Sequence, residues 1–182
     1  RYETQVAAAH GFPTADFGGA CDVAEAPWII DCQYDAAGSM LRYFYDDLRD
    51  PAVELTGTLR TFDQKRYVTR GMLASFADEG FLFVPKDCAA AKPCRVHVAF
   101  HGCQQGIGFI GKTFARRAGY NRWADANRIV VLYPQVGRSL IWPFNPRGCW
   151  DWWGYSGVDY ATRDGAQLAA IRRMLVALGA TY

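Results

Sequence analysis

The chain has 182 residues, 51% of them hydrophobic and 21% charged, enough to bury one sizeable core. A net charge of +2 argues against dedicated nucleic-acid binding, and no apolar run approaches the roughly 18 residues that a membrane helix needs. Six cysteines with no Cys-x-x-Cys pair, and three histidines at no ligand spacing to them, argue against a metal site and for disulfides formed in an oxidising compartment, secreted or periplasmic. No cofactor is expected.

The opening residues, RYETQVAAAHGF, carry no cap and no leading element, and the sequence starts at Arg1 without Met. They read as the middle of a domain, so processing, cleavage or the choice of expressed piece is expected to have set the start. His10 follows in AAAHGFPT, flanked by small residues and then Gly-Phe-Pro, which places it in an irregular loop. Residues 36–48 carry Leu41, Phe44, Tyr45 and Leu48 at helical spacing, with Arg42, Asp46 and Asp47 outward and Pro51 beyond the stop. Residues 55–63 and 80–85 alternate like antiparallel strands.

Residues 95–100 and 129–133 are apolar runs that read as central strands. Between them 113–127 is helical, with an interruption near Gly119-Tyr120-Asn121. A long loop over 135–157 holds Trp142, Trp150, Trp152 and Trp153. The last helix, 163–178, has Leu168, Ile171, Leu175 and Leu178 on one face and is expected to pack on a sheet. From residue 55 the order is strand, strand, strand, His-Gly turn, helix, strand, loop, helix, which is the front half of an α/β-hydrolase. In that fold the loop after the third strand donates one oxyanion N–H.

The stretch RVHVAFHGCQQG over 95–106 ends a strand on His-Gly-Cys-Gln-Gln, and strand ends are where α/β proteins place their chemistry. The nucleophile is harder to find. Ser156, in GYSGV, has its second Gly one place early and lacks the strand–turn–helix context of an elbow, so it reads as a loop hydroxyl. Cys103 beside His101 could be a thiol nucleophile, but in a cysteine-rich oxidised chain it reads as half of a disulfide. His97 lies mid-strand as a core or interface residue, and His101 shapes the turn. His10, in its irregular loop, is a candidate catalytic residue.

The segments AAHGFPTADFGGAC, DCQYDAAGSML, FHGCQQ, GYNRWADANRIVVLYPQ and NPRGCWDWWGYSGVDYATRDGAQLAAI resemble the poly(3-hydroxybutyrate) depolymerase/esterase family over nearly the whole chain. The resemblance is to that family's C-terminal half. Some members are circularly permuted α/β-hydrolases, in which the elbow serine and the acid Asp precede a histidine in a His-x-Phe-Pro-Thr loop. It implies one incomplete α/β domain with a mostly parallel sheet and flanking helices over 1–182. The catalytic-histidine loop and a helix would occupy 1–54. The strands, oxyanion turn, Trp-rich loop and final helix would occupy 55–182. The nucleophile and triad Asp would lie upstream of Arg1, in a partner N-terminal part of the same enzyme.

The resemblance makes His10 the general base and the Cys103 backbone N–H an oxyanion donor. It implies that some of Trp150, Trp152 and Trp153 line a crevice for polyester or a small ester, and core packing stays an equal reading for each. Ser156 stands where the family often has Thr. Short separations favour the disulfides Cys21–Cys32 and Cys88–Cys94, which leaves Cys103–Cys149. Two other functions stay open: a catalytically empty chain that binds polymer or carbohydrate through a coplanar aromatic row, and a feruloyl- or acetyl-ester esterase.

Overall fold

The computed structural model describes residues 3–69, 74–89 and 93–179. Arg1 and Tyr2, on which part of the reading of the N-terminus rests, lie outside them. Three short strands come first: β1 (Phe12–Thr14), β2 (Gly19–Ala20) and β3 (Ile29–Asp31). They form a small sheet in the order β1-β3-β2, parallel throughout. Then come α1 (Ala36–Phe44), β4 (Thr58–Asp63), a 3-10 turn at Lys65–Tyr67, β5 (Glu79–Val84), α2 (Lys86–Ala89) and β6 (Arg95–Val98). Helices α3 (Ile107–Ile110), α4 (Thr113–Arg117) and α5 (Tyr120–Asn127) lead to β7 (Ile129–Tyr133), and α6 (Ala166–Ala177) follows the long loop.

The second sheet has the order β4-β5-β7-β6. Here the expectation of a mostly parallel sheet is corrected to a mixed one. β5 runs antiparallel to both β4 and β7, and only β6 and β7 are parallel. The connections explain this. Among the described residues no long helix crosses between β4 and β5, whereas α3, α4 and α5 supply the crossover that a parallel β6–β7 pair requires. All five residues of β7 are buried, as its unbroken apolar run demands.

The core joins the first 54 residues to the rest. Ile29, Ala37 and Leu41 pack in one cluster with Phe81, Phe83, Phe114, Trp123, Val131 and Tyr133. Asp35 caps α1 by accepting from Gly38 N at 2.7 Å and also accepts Trp123 Nε1 at 2.6 Å. Gly38 is required there, because a Cβ would lie 2.6 Å from the Trp123 ring. α1 stops at Phe44, four residues short of the expected end. Tyr45 turns extended, and its hydroxyl meets His97 Nδ1 at 3.2 Å. Phe44, expected on the apolar face, is exposed instead.

The interruption of the 113–127 helix falls at Gly119, whose φ of 93° only glycine adopts readily. In α6 the buried face runs through Ala166, Gln167, Ala170, Ile171 and Met174, while Leu168 is exposed. Gln167 turns inward because its amide donates to Ala74 O and Tyr155 Oη and its carbonyl accepts from Asp151 N. α6 packs against the 3-10 turn, with Arg173 Nε donating to Tyr67 O. No described helix is long and apolar enough to cross a membrane.

All six cysteines are bridged, as Cys21–Cys32, Cys88–Cys94 and Cys103–Cys149. Burial holds the His97 and His101 imidazoles at about 4, below their ordinary 6.5. The unfolded chain therefore takes up these protons first. Stability is full above the ordinary histidine range and falls as pH drops through it towards about 4. The thermal midpoint should decline over that window, and His97→Phe should remove about half of the decline. An equal slope in the variant would contradict this cause.

Candidate active site

A crevice of about 950 Å³ opens where the loop before β1 meets the turn after β6 and the Trp-rich loop. Its lining includes His10, Trp28, Cys103, Phe144, Trp152 and Trp153. Residues far apart in sequence, expected to act together, thus share one wall system. His10 is exposed on a loop held from both sides. Ala9 N donates to Cys21 O, beside the Cys21–Cys32 bridge. Phe12 packs edge-on against Phe114 at 5.5 Å and tilted against Tyr120 at 5.8 Å.

The turn after β6 is determined by its hydrogen bonds. Ala99 N still joins the ladder through Leu132 O, and the strand then ends. His101, 2% exposed, donates from Nδ1 to Gly102 O at 2.7 Å and accepts Val136 N at Nε2, 3.2 Å. Those two partners assign the neutral Nδ1–H tautomer. Burial is the larger influence on this imidazole and pushes its pKa down, against the bond to Gly102. Gly106 leaves room for the ring, since a Cβ there would lie 2.7 Å from Val136 O and 3.0 Å from the imidazole.

Gly102 O also accepts Gln105 N at 3.1 Å, so two donors hold that carbonyl. A trans peptide is planar, so fixing the carbonyl of Gly102 aims the N–H of Cys103 the opposite way. Gly102 N donates to Gln105 Oε1 and Gln104 N donates to Arg147 O. Among the described residues the Cys103 N–H donates to no protein acceptor. The Cys103–Cys149 bridge ties the same residue to the opposite loop. Both sulfurs are consumed, which removes the thiol-nucleophile reading.

The Trp-rich loop is organised by Asp151. Its Oδ1 accepts the N–H groups of Trp153, Gly154 and Tyr155, and its Oδ2 accepts Ser156 N and Ser156 Oγ. Burial pushes this carboxyl up, but the bonds from Ser156, Gly154 and Tyr155 outweigh it and hold the pKa below its ordinary value. Ser156 is 3% exposed with its hydroxyl committed to Asp151, which suits the loop-hydroxyl reading. Trp152 and Trp153 reach the crevice, their rings 5.1 Å apart at 72°.

Trp150 departs from the substrate-contact expectation. It stands behind the crevice, packed on Phe100, Phe76 and His101. Its ring supports the turn, which is the packing alternative. Trp28, Gln105, Phe144 and Asp151 shape the site without being among the residues expected from the sequence. An Asp followed by Trp-Trp-Gly carries the signal of an Asx turn, and Asp151 was legible on that ground. Trp28 carried no such signal. No group of described residues is arranged to hold a metal ion.

The chain is 40% identical over 178 residues to a poly(3-hydroxybutyrate) depolymerase of Delftia acidovorans, covering 96% of this chain and 34% of that protein. Homologues of the chain at this identity include poly(3-hydroxybutyrate) depolymerases. A polyhydroxybutyrate depolymerase of Talaromyces funiculosus is likewise 40% identical, over 93% of this chain and 53% of that protein. The crystal structure of the PHB depolymerase from Penicillium funiculosum matches with a TM-score of 0.88 and 36% identity, over 93% of this chain and 57% of that one. A serine-to-alanine PHB depolymerase complexed with an R3HB trimer matches with a TM-score of 0.85 and 36% identity, over 90% of this chain and 55% of that one. No family model matches. The chain spans about a third to just over half of the curated PHB depolymerases it matches.

If Asp151 organises the wall of this site, Asp151→Ala should destabilise the fold by about 1–2 kcal/mol, a value discounted for its partial exposure. It should also weaken the near-ultraviolet circular dichroism of the coupled Trp152 and Trp153 rings. An unchanged spectrum would show that the loop holds its shape without the carboxylate.

Proposed function

We propose that these residues form the C-terminal part of the catalytic domain of a secreted or periplasmic serine esterase that cleaves poly(3-hydroxybutyrate) or related hydroxyalkanoate esters. The carrying observation is the shared crevice. An exposed histidine on one wall faces a site whose other wall offers an open backbone N–H. The homology supports the polyester, because one of the matched enzymes is complexed with an R3HB trimer.

The chemistry is acyl transfer. A serine hydroxyl attacks the ester carbonyl while His10 takes its proton and then returns it to the leaving alkoxide. Water attacks the acyl-enzyme by the same route in reverse. The Cys103 N–H receives the negative charge that builds on the carbonyl oxygen, and apolar walls raise the worth of that bond. The turn follows the third strand of the four-stranded sheet, the place from which a hydrolase donates its second oxyanion N–H. The first such N–H belongs to the residue after the nucleophile.

The serine and the triad Asp are assigned to a part of the enzyme outside these residues. None of the described residues lining the crevice is a serine, and the homologues are longer. This arrangement suits a circularly permuted α/β-hydrolase, with the histidine loop ahead of the front-half strands. A flat binding row is disfavoured, since the Trp152 and Trp153 planes are steeply inclined.

In the complete enzyme His10→Ala should lower kcat on a short p-nitrophenyl ester by on the order of 10³-fold or more, with the fold intact. Turnover that survives the substitution at the wild-type rate would refute the assignment.

A further inference from the structure

We propose that Gln105 is a positioning residue for this reaction, and the inference rests on the esterase reading above. Its side-chain amide sets the oxyanion turn against the histidine loop. Oε1 accepts Gly102 N at 2.6 Å, one residue before the open amide. Nε2 donates to Trp28 O at 2.7 Å and to Pro27 O at 3.4 Å. Trp28 O in turn accepts Phe12 N at 2.8 Å, two residues after His10. One amide therefore spans from the residue before Cys103 to the strand that anchors His10.

The amide cannot be turned round. Its acceptor faces an N–H and its donors face two carbonyls, so exchanging Oε1 and Nε2 would break all three bonds. Gln105 is 4% exposed, and a buried amide left without partners is costly, so both loops are held to it. The backbone on either side is unusual. Trp28 and Gln104 have φ of 58° and 62°, in the left-handed region that non-glycine residues avoid, and both line the crevice. Such conformations persist where surrounding bonds over-determine them. The bonds at Trp28 O and the bond from Gln104 N to Arg147 O do so here.

The consequence is geometric. Oxyanion stabilisation depends on the donor lying about 3 Å from where charge develops, and a shift of about 1 Å can cost about a hundredfold in rate. Without the amide, the Gly102–Cys103 peptide keeps His101 but loses its register to His10. Binding of a short ester, governed by the apolar walls, changes little.

The test uses the complete enzyme, with active sites counted by an organophosphate titrant so that unfolded protein drops out. Gln105→Met keeps the volume and removes the bonds. Gln105→Glu keeps the bonds to Gly102 N and Trp28 O only when its carboxyl is neutral and can donate to Trp28 O. Both should lower kcat per titrated site roughly tenfold to a hundredfold with KM for a short ester unchanged. The kcat ratio of Gln105→Glu to wild type should recover as pH falls into the carboxyl's own range, and that of Gln105→Met should not. Wild-type kcat per site in Gln105→Met, or a Gln105→Glu defect of equal size at every pH, overturns the proposal. So does a Gln105→Glu variant unfolded at every pH, which would make the residue purely structural. If Gln105→Met alone fails to fold, the pH recovery of Gln105→Glu decides. The esterase reading fails separately, if His10→Ala turns over at the wild-type rate whatever the Gln105 variants do.

Discussion

One backbone N–H held open is the constraint around which this site is built. A crevice wall that leaves a donor unpaired must have its other polar groups paired, or the turn would relax to satisfy it. The two donors on Gly102 O accomplish this through peptide planarity. His101 can donate there and still accept Val136 N only as the neutral Nδ1–H tautomer, and burial keeps it neutral. The sheet enters the argument at the same residue, because Val136, just beyond β7, donates to the other nitrogen of that ring.

The remaining parts transmit the same constraint outward. Asn145, fully buried, binds Cys149 through both its N–H and its C=O, and so fixes the partner sulfur of the bridge to Cys103. Tyr155 Oη donates to Cys149 O and accepts from Gln167 on α6. A chain of buried amides and hydroxyls thus runs from the last helix, through the Cys103–Cys149 bridge, to the turn after β6. Such networks are stabilising when fully paired and costly when broken. On the other wall the small parallel sheet fixes where the histidine loop ends, at Phe12. Aromatic side chains line the crevice between the walls and raise the worth of a hydrogen bond made there.

Much of this was legible in the sequence, for identifiable reasons. β7 read correctly to the residue because an unbroken apolar run has few alternatives. The break in the 113–127 helix showed through its glycine. The strands β1, β2 and β3 have two or three residues each, too short for any period to show. The end of α1 depended on a distant histidine that Tyr45 reaches, and the inner face of α6 on Gln167, whose partners lie elsewhere in the chain. Gln105 lies in the His-Gly-Cys-Gln-Gln stretch yet carries no signal of its own, because its bonds form only where Trp28 and Gly102 meet. Trp150 and its neighbours look alike in sequence, and only packing separates the supporting ring from the crevice rings.

The account is tested most directly by a crystal structure of the complete enzyme after inactivation by a p-nitrophenyl alkylphosphonate. The phosphorus should be bonded to a serine outside residues 1–182, with that serine's Oγ near His10. The phosphonyl oxygen, standing in for the oxyanion, should lie about 3 Å from Cys103 N. An adduct on Ser156, or a phosphonyl oxygen turned away from the Cys103 amide, would contradict the central claim that this turn is the oxyanion wall of an esterase.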